Sequence, residues 1–500
     1  MSLDFQTSWV PLLAILVSML AVPLILASDK RPNLRDFWSI AAAVIKFGLV
    51  LSLLPLVLAG QYPGLSLWEI SPGVELALRV DELGILFGLV ASGLWIITAF
   101  YTIGYMRGAG EKKQTRFYAA FALSVSATIG IAFSANLLTF LIFFELLTIA
   151  TYPLVIHKEN KEAIFSGRKY LVYTLIAGNL LVIATAWTYS LAGGSLDFIP
   201  GGLLQNAELG TGVAAILFLL FLGGVGVKAG IMPMHSWLPA AMVAPTPVSA
   251  LLHAVAVVKS GVFGIVRVVG FIFGPEVMQE FGLNDILVVM AGATILFASL
   301  IALSHTNLKR RLAYSTVSQL SYVVLGAALL SPAALTGSVF HITSHATLKI
   351  TLFFCAGAIY VNAHKDDIRQ LDGIGYRMPF TMGAFALASM GLAGLPPLNG
   401  FVSKFFLGWG ALQAGEVAAL LVLLTSGVLN IAYLFPIVYR AFFKTGAESD
   451  TFGEASPFMV VPICIAAVTA LLLGLMPNLW FNFFDLAERV SQSILGGIPG

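Results

Sequence analysis

Apolar runs of about 20 residues recur along the whole chain, separated by short polar segments. A run of that length crosses the hydrocarbon of a bilayer as one helix. Fourteen such runs lie at 8–28, 38–59, 82–104, 117–134, 136–156, 169–192, 211–229, 247–271, 284–304, 312–331, 335–361, 379–412 (interrupted), 417–441 and 458–480. The pattern predicts an all-α polytopic membrane protein of about 14 transmembrane helices. Segment 60–80 alternates weakly and carries Pro and Gly, which predicts an external hairpin. Stretch 481–495 predicts a short interfacial helix.

Two runs are broken. Pro233, Pro239, Pro245 and Pro247 forbid one continuous helix after the seventh run. Pro396 and Pro397, followed by Gly400, interrupt the twelfth. Irregular backbone at membrane depth survives only inside protein or beside water. Two interruptions in matching places predict an inverted internal repeat with an ion site at the breaks. The expected division is N-terminal helices 1–3 over 1–116, a first five-helix repeat over 117–275 and a second over 276–445. Helix 14 and an interfacial tail occupy 446–500.

Composition agrees with this class. The chain is 58% hydrophobic and 10% charged, with mean hydropathy +0.92, against about 25% charged in soluble domains. The net charge of +2 and the lack of a basic tract give no sign of nucleic acid as a partner. Numbering the loops alternately, nineteen of the 27 Lys and Arg fall in one set and only Arg79 and Arg489 in the other. The other six lie within spans. The positive-inside rule then places both termini outside, as an even number of spans requires. The first run lacks a basic flank and a small-residue cleavage site, and reads as a retained span. Cys355 and Cys464 lie far apart in sequence, and no Gly-rich nucleotide loop or paired haem ligand is present. The sequence therefore predicts no metal, no cofactor and no redox centre of its own.

The chemistry is carried by ionisable groups where hydrocarbon is expected, which are costly and usually functional. Glu145 is central in the fifth run, and Lys228 just before the first break is its natural partner. Moving Glu145 toward or away from Lys228 would change whether that lysine holds its proton. Lys259 lies on the eighth run. Ser249 and His253 share a face there, but Lys259, six residues from His253, points elsewhere on an ideal helix. On the eleventh run His341, His345 and Lys349 recur every four residues and form one stripe. Lys404 follows the second break as the terminal charge. His253 and His235 are less direct candidates, one a packing histidine by default and the other lining the broken segment. Lys46 and Arg267 are expected to snorkel to the surfaces. His157, His305 and His364 are expected in solvated loops.

Several strings resemble the antiporter-like membrane subunits shared by respiratory complex I, Mrp-type sodium/proton antiporters and energy-converting membrane-bound hydrogenases. They are FFELLTIATYPLV (143–155), KAGIMPMHSWLPAAMVAPTPVSALLHAVAVVKSGVFG (228–264), NLKRRLAYSTVSQLSY (307–322), HITSHATLKITLFF (341–354) and GLAGLPPLNGFVSKF (391–405). The resemblance spans roughly 80–480. It implies fourteen helices, two inverted five-helix repeats, broken helices seven and twelve, a Glu145–Lys228 pair, and a hydrated axis through Lys228, Lys259, the His341/His345/Lys349 helix and Lys404. A lysine at 404 is similar to the D-type member of Mrp antiporters and its hydrogenase relatives. PMHSWLP and SALLHAVAVVKSG resemble the larger complex I and Mrp members.

The expected function is proton translocation by one subunit of a multi-subunit membrane complex, coupled to a redox reaction or a sodium gradient. Other membrane subunits and the lipid bilayer are its expected partners, in a prokaryotic cell membrane. A sodium site wants several oxygen ligands together. One mid-membrane carboxylate favours the proton for this chain and leaves sodium to a neighbour. The competing expectation is a structural subunit whose buried charges only support assembly.

Overall fold

The computed structural model describes residues 5–71, 73–446 and 452–496. The spans are α1 (Val10–Ala27), α2 (Pro32–Leu58), α3 (Glu82–Gly108), α4 (Gln114–Ala132), α5 (Leu137–Val155), α6 (Lys161–Leu191), α7 (Thr211–Ala229), α8 (Thr246–Glu280), α9 (Leu283–Ser304), α10 (Leu308–Ala328) and α11 (Pro332–Ala363). They continue with α12, in two halves (Pro379–Ala393 and Asn399–Gln413), α13 (Val417–Phe443) and α14 (Pro457–Leu475). Among the described residues twelve helices are long and apolar enough to cross a membrane by themselves. The two expected spans that fall outside this set are the split α12 and α10, whose sequence is too polar. A last helix, α15, covers Phe483–Leu495.

Helix starts follow local chemistry. Asn136, Asn160, Asn307 and Ser331 are N-caps whose side chains accept from Thr139, Ala163, Arg310 and Ala334 backbone N–H groups. The expected hairpin is present. Strand β2 (Pro63–Ser71) pairs antiparallel with β3 (Val74–Arg79), with Gly64 opposite Arg79. It also receives β1 (Gln6–Thr7) in parallel, a strand too short to read from sequence.

Both breaks are real. Helix α7 ends on Gly230 at φ 71°, a left-handed cap that glycine adopts without strain. A turn with a cis Met232–Pro233 bond and the short helix Trp237–Ala240 then lead to α8. The first half of α12 ends on Gly394 at φ 89°, and the chain passes a cis Pro396–Pro397 bond before re-entering a helix at Asn399. A third irregularity has no Gly or Pro to announce it: α8 carries a π-helical turn over Leu251–Val255, closed by Ala256 at φ −110°, ψ −77°.

Helix α11 is the hub. It is buried almost end to end and packs on α3, α8, α10, both halves of α12, α14 and α15. Helix α15 covers the stretch expected to form a short helix. Its apolar face (Phe483, Leu486, Val490, Ile494) is buried in the bundle. Ser491 donates to the Pro332 carbonyl, and Arg489 to that of Leu58.

Candidate functional site: a buried polar path

Glu145 and Lys228 are adjacent but do not form the expected ion pair. The Lys228 Nζ donates to the Phe144 carbonyl, one residue from Glu145, and lies 3.5 Å from the Phe144 ring centroid. Glu145 Oε1 is buried without a hydrogen-bond partner among the described residues, against Gly178 of α6. The smallest residue stands where the carboxylate needs room.

The next lysine joins two regions of the chain. Lys259 Nζ lies 2.7 Å from Nδ1 of His345, and both residues are fully buried. Either group can be the donor, according to which holds the proton. The neighbouring π turn adds one residue to the ladder around His253 and so resets the angular offset between His253 and Lys259. Even so, His253 stands apart: among the described residues neither ring nitrogen has a partner, and its ring packs 4.9 Å from Phe353. Ser249 Oγ, on the same helix, is also buried without a partner among them.

The stripe on α11 is a contiguous line of buried groups. The His341 and His345 ring centroids are 6.0 Å apart, and His341 Nδ1 lies 2.8 Å from Ser403 Oγ on α12. Lys349 Nζ donates to Ser315 Oγ at 2.7 Å and to the Leu312 carbonyl at 3.1 Å. Lys404 Nζ donates to the Leu392 carbonyl, at the end of the first half of α12. Lys404 also lies on a lateral groove of about 470 Å³ with Phe401, Phe405, Trp409 and Leu424. Among the described residues no ion pair involves Lys228, Lys259, Lys349 or Lys404. Each lysine Nζ is held instead by a carbonyl, a hydroxyl or an imidazole.

His235 lies half-buried on the break after α7, its ring 6.0 Å from Tyr314. On the face carrying the basic loops, a cavity of about 420 Å³ lined by Lys158, Lys309 and Arg310 reaches Thr246, the first residue of α8. It opens onto the first turn of the helix that holds Ser249, His253 and Lys259.

Three expectations are corrected. Arg267 does not snorkel: it is 1% exposed and makes a two-pronged pair with Asp81 at 2.6 and 2.8 Å. Lys46 does not snorkel either. It is fully buried, donates to Ser18 Oγ at 2.6 Å and lies 5.5 Å from the Trp95 ring. His157 is buried rather than solvated, 3.7 Å from Glu111. In each case a partner from another segment of the chain supplies what the surface was expected to supply.

Sequence reasoning passed over a second polar seam. Ser315, Ser318, Gln319 and Tyr322 on α10 face Ser426, Asn430 and Tyr433 on α13, all fully buried. Spacings of three, four and seven residues in YSTVSQLSY, and of four and seven from Ser426, were the available signal.

The family model described as NADH:quinone oxidoreductase/Mrp antiporter, TM matches residues 134–430, a stretch that holds both breaks and every lysine of the path. The chain belongs to this family. It is 31% identical over 434 residues to NADH-quinone oxidoreductase subunit N of Desulforudis audaxviator (strain MP104C), covering 82% of this chain and 83% of that one. It is 27% identical over 472 residues to a Na(+)/H(+) antiporter subunit of Bacillus subtilis (strain 168), covering 93% of each. The fold matches a chain in the solved Mrp complex of Dietzia sp. DQ12-45-1b with TM-score 0.84 at 23% identity, over 97% of each chain. Family membership thus covers the antiporter-like core, and the protein is an integral membrane protein.

Proposed function

We propose that this chain is a proton-translocating antiporter-like subunit of a multi-subunit membrane complex. In this reading a neighbouring subunit moves Glu145 relative to Lys228, which changes how firmly Lys228 holds a proton. The proton then passes through Lys259, His345 and the α11 stripe toward Lys404, and His253 and His235 serve at its margins. The carrying observation is the Lys259–His345 contact: two titratable groups share one hydrogen bond in the middle of the bundle, with no acid among the described residues paired to either. A fixed structural role asks for a neutralised pair, as at Arg267–Asp81.

The same reading divides the path between two inverted five-helix repeats, 117–275 and 276–445, with Lys259 from one meeting His345 of the other. It places the termini outside a prokaryotic cell membrane, following the loop charges. Its partners are other membrane subunits. The lysine at 404 favours an Mrp D-like place among them. The test is proton uptake by the purified complex in proteoliposomes with Glu145→Ala and with Lys228→Ala. Assembled but inactive variants support the relay. Variants that assemble and transport like the wild type overturn it. Failure to assemble, rescued by the Glu145→Lys/Lys228→Glu exchange without activity, would point to a structural subunit.

A further inference from the structure

The histidine end of the stripe, His341, makes no hydrogen bond to Lys404. His341 and Lys404 both lie against the Tyr322 ring, with its centroid 5.4 Å from the His341 centroid and 4.9 Å from Lys404 Nζ. His341 bonds to Ser403, which turns back to the Gly400 carbonyl. His341 Nε2 has no partner among the described residues. An aromatic face offers a cation a favourable surface but no site for a proton in transit.

A different set of groups does connect the stripe to Lys404. Lys349 Nζ donates to Ser315 Oγ at 2.7 Å, and Ser315 Oγ lies 2.8 Å from Tyr433 Oη. Tyr433 Oη donates to Asn430 Oδ1. Asn430 Nδ2 donates at 3.1 Å to the Leu392 carbonyl, which is also the acceptor for Lys404 Nζ. Gln319 Oε1, which is fully buried, has no hydrogen-bond partner among the described residues. Packing between helices accounts for the neighbouring Ser299–Ser318–Ser426 cluster, which closes on itself at 2.9 to 3.5 Å. It does not account for a line that starts on one lysine, ends on the carbonyl that holds another, and leaves an amide oxygen open beside it.

We propose that Ser315 and Tyr433 form a second proton branch, from Lys349 to Lys404, through the α10–α13 seam. The proposal rests on the relay reading above. In the step, protonated Lys349 gives one N–H proton to Ser315 Oγ as the Ser315 hydroxyl proton passes to Tyr433 Oη. Tyr433 releases its own proton to a water molecule that donates to the open Gln319 Oε1. That water passes a proton to the neutral Lys404 amine. Lys349 loses one proton, Lys404 gains one, and both hydroxyls and the water end intact. Asn430 is a positioning residue that holds the Tyr433 hydroxyl in line.

The experiment is proton uptake by the intact complex in proteoliposomes, in H₂O and in D₂O, with assembly checked by size exclusion. Tyr433→Phe keeps the ring and removes the relay atom. It is expected to slow uptake about 10-fold or more, a loss in the range of one removed proton-transfer group. Ser315→Ala is expected to do the same, while Ser315→Thr, which keeps a hydroxyl, stays within about 3-fold of the wild type. Asn430→Ala is expected to slow uptake and to enlarge the solvent isotope effect, a change that a packing defect does not produce. Wild-type rates in Tyr433→Phe overturn the branch, and so does a Ser315→Thr variant as slow as Ser315→Ala. Lys259→Ala separates the two levels. If it also transports normally, the relay reading itself has failed; if it is inactive while Tyr433→Phe is not, only this branch has failed.

Discussion

Lys259 on α8 and His345 on α11 meet at 2.7 Å in the centre of the bundle. They are 86 positions apart in sequence, and both are fully buried. In the proposed relay this contact is where the proton crosses from α8 to α11. Replacing Lys259 or His345 with Ala in the assembled complex is expected to reduce proton transport roughly 100-fold or more, within the range of removed acid–base groups. The double variant is expected to be no slower than the worse single one, because the two act as a unit. Uptake assays on the four proteins complete the cycle, and additive losses would refute the coupling.

Gly178 sets the position of Glu145. A Cβ built on it would stand 2.6 Å from Glu145 Oε1 and 2.7 Å from its Cδ. The clash falls on the far end of a flexible side chain, so Gly178→Ala is expected to fold and assemble while displacing the carboxylate. Transport is expected to change several-fold with the unfolding temperature within a few degrees of the wild type, a shift corresponding to about 1 kcal/mol or less. Parallel transport and melting measurements check this, and unchanged transport would show that Glu145's place is not set here.

Gly261 lets α8 lie directly on the end of α7. Its Cβ would run into the backbone of Lys228 and Ala229, which cannot give as a side-chain tip can. Gly261→Ala is expected to cost about 1–3 kcal/mol through overpacking and to shift Lys228 with the backbone. Denaturation in detergent reads the first effect, and transport by the surviving complex reads the second.

Asp81 and Arg267 form a structural pair at the N-terminal end of α3. Burial opposes ionisation of the Asp81 carboxyl, but Arg267, Arg79 and the Gly84 N–H outweigh it and hold the group below its ordinary range. A carboxyl with a depressed folded-state value adds stability that is complete above its unfolded value of about 3.9 and is lost as pH falls through the folded value. Acid unfolding should therefore be shallower below about pH 4 in Asp81→Asn than in the wild type. Near neutrality that substitution should destabilise by about 3–5 kcal/mol, because it leaves Arg267 buried without a counter-charge. Thermal melts across pH test both statements. Equal pH slopes would count against the assignment.

The hydrophobic pattern by itself determined the class and most of the architecture. Hydrocarbon thickness fixes the length of a spanning helix, and Pro cannot continue one, so the spans and the breaks after α7 and within α12 were written in local chemistry. The i, i+4 stripe of His341, His345 and Lys349 was legible for the same reason: a helix has one period. What the pattern left open was every relation between helices. That Lys228 turns to the Phe144 carbonyl, that Lys259 meets His345, and that Lys46 and Arg267 find Ser18 and Asp81 instead of a surface depends on distances between segments far apart in sequence. The π turn at Leu251–Val255 follows from packing rather than from any Gly or Pro within it. The polar faces of α10 and α13 were each readable alone, but only their mutual orientation made Ser315, Tyr433 and Asn430 one connected line, because a hydrogen bond forms only when tertiary packing brings donor and acceptor within about 3 Å.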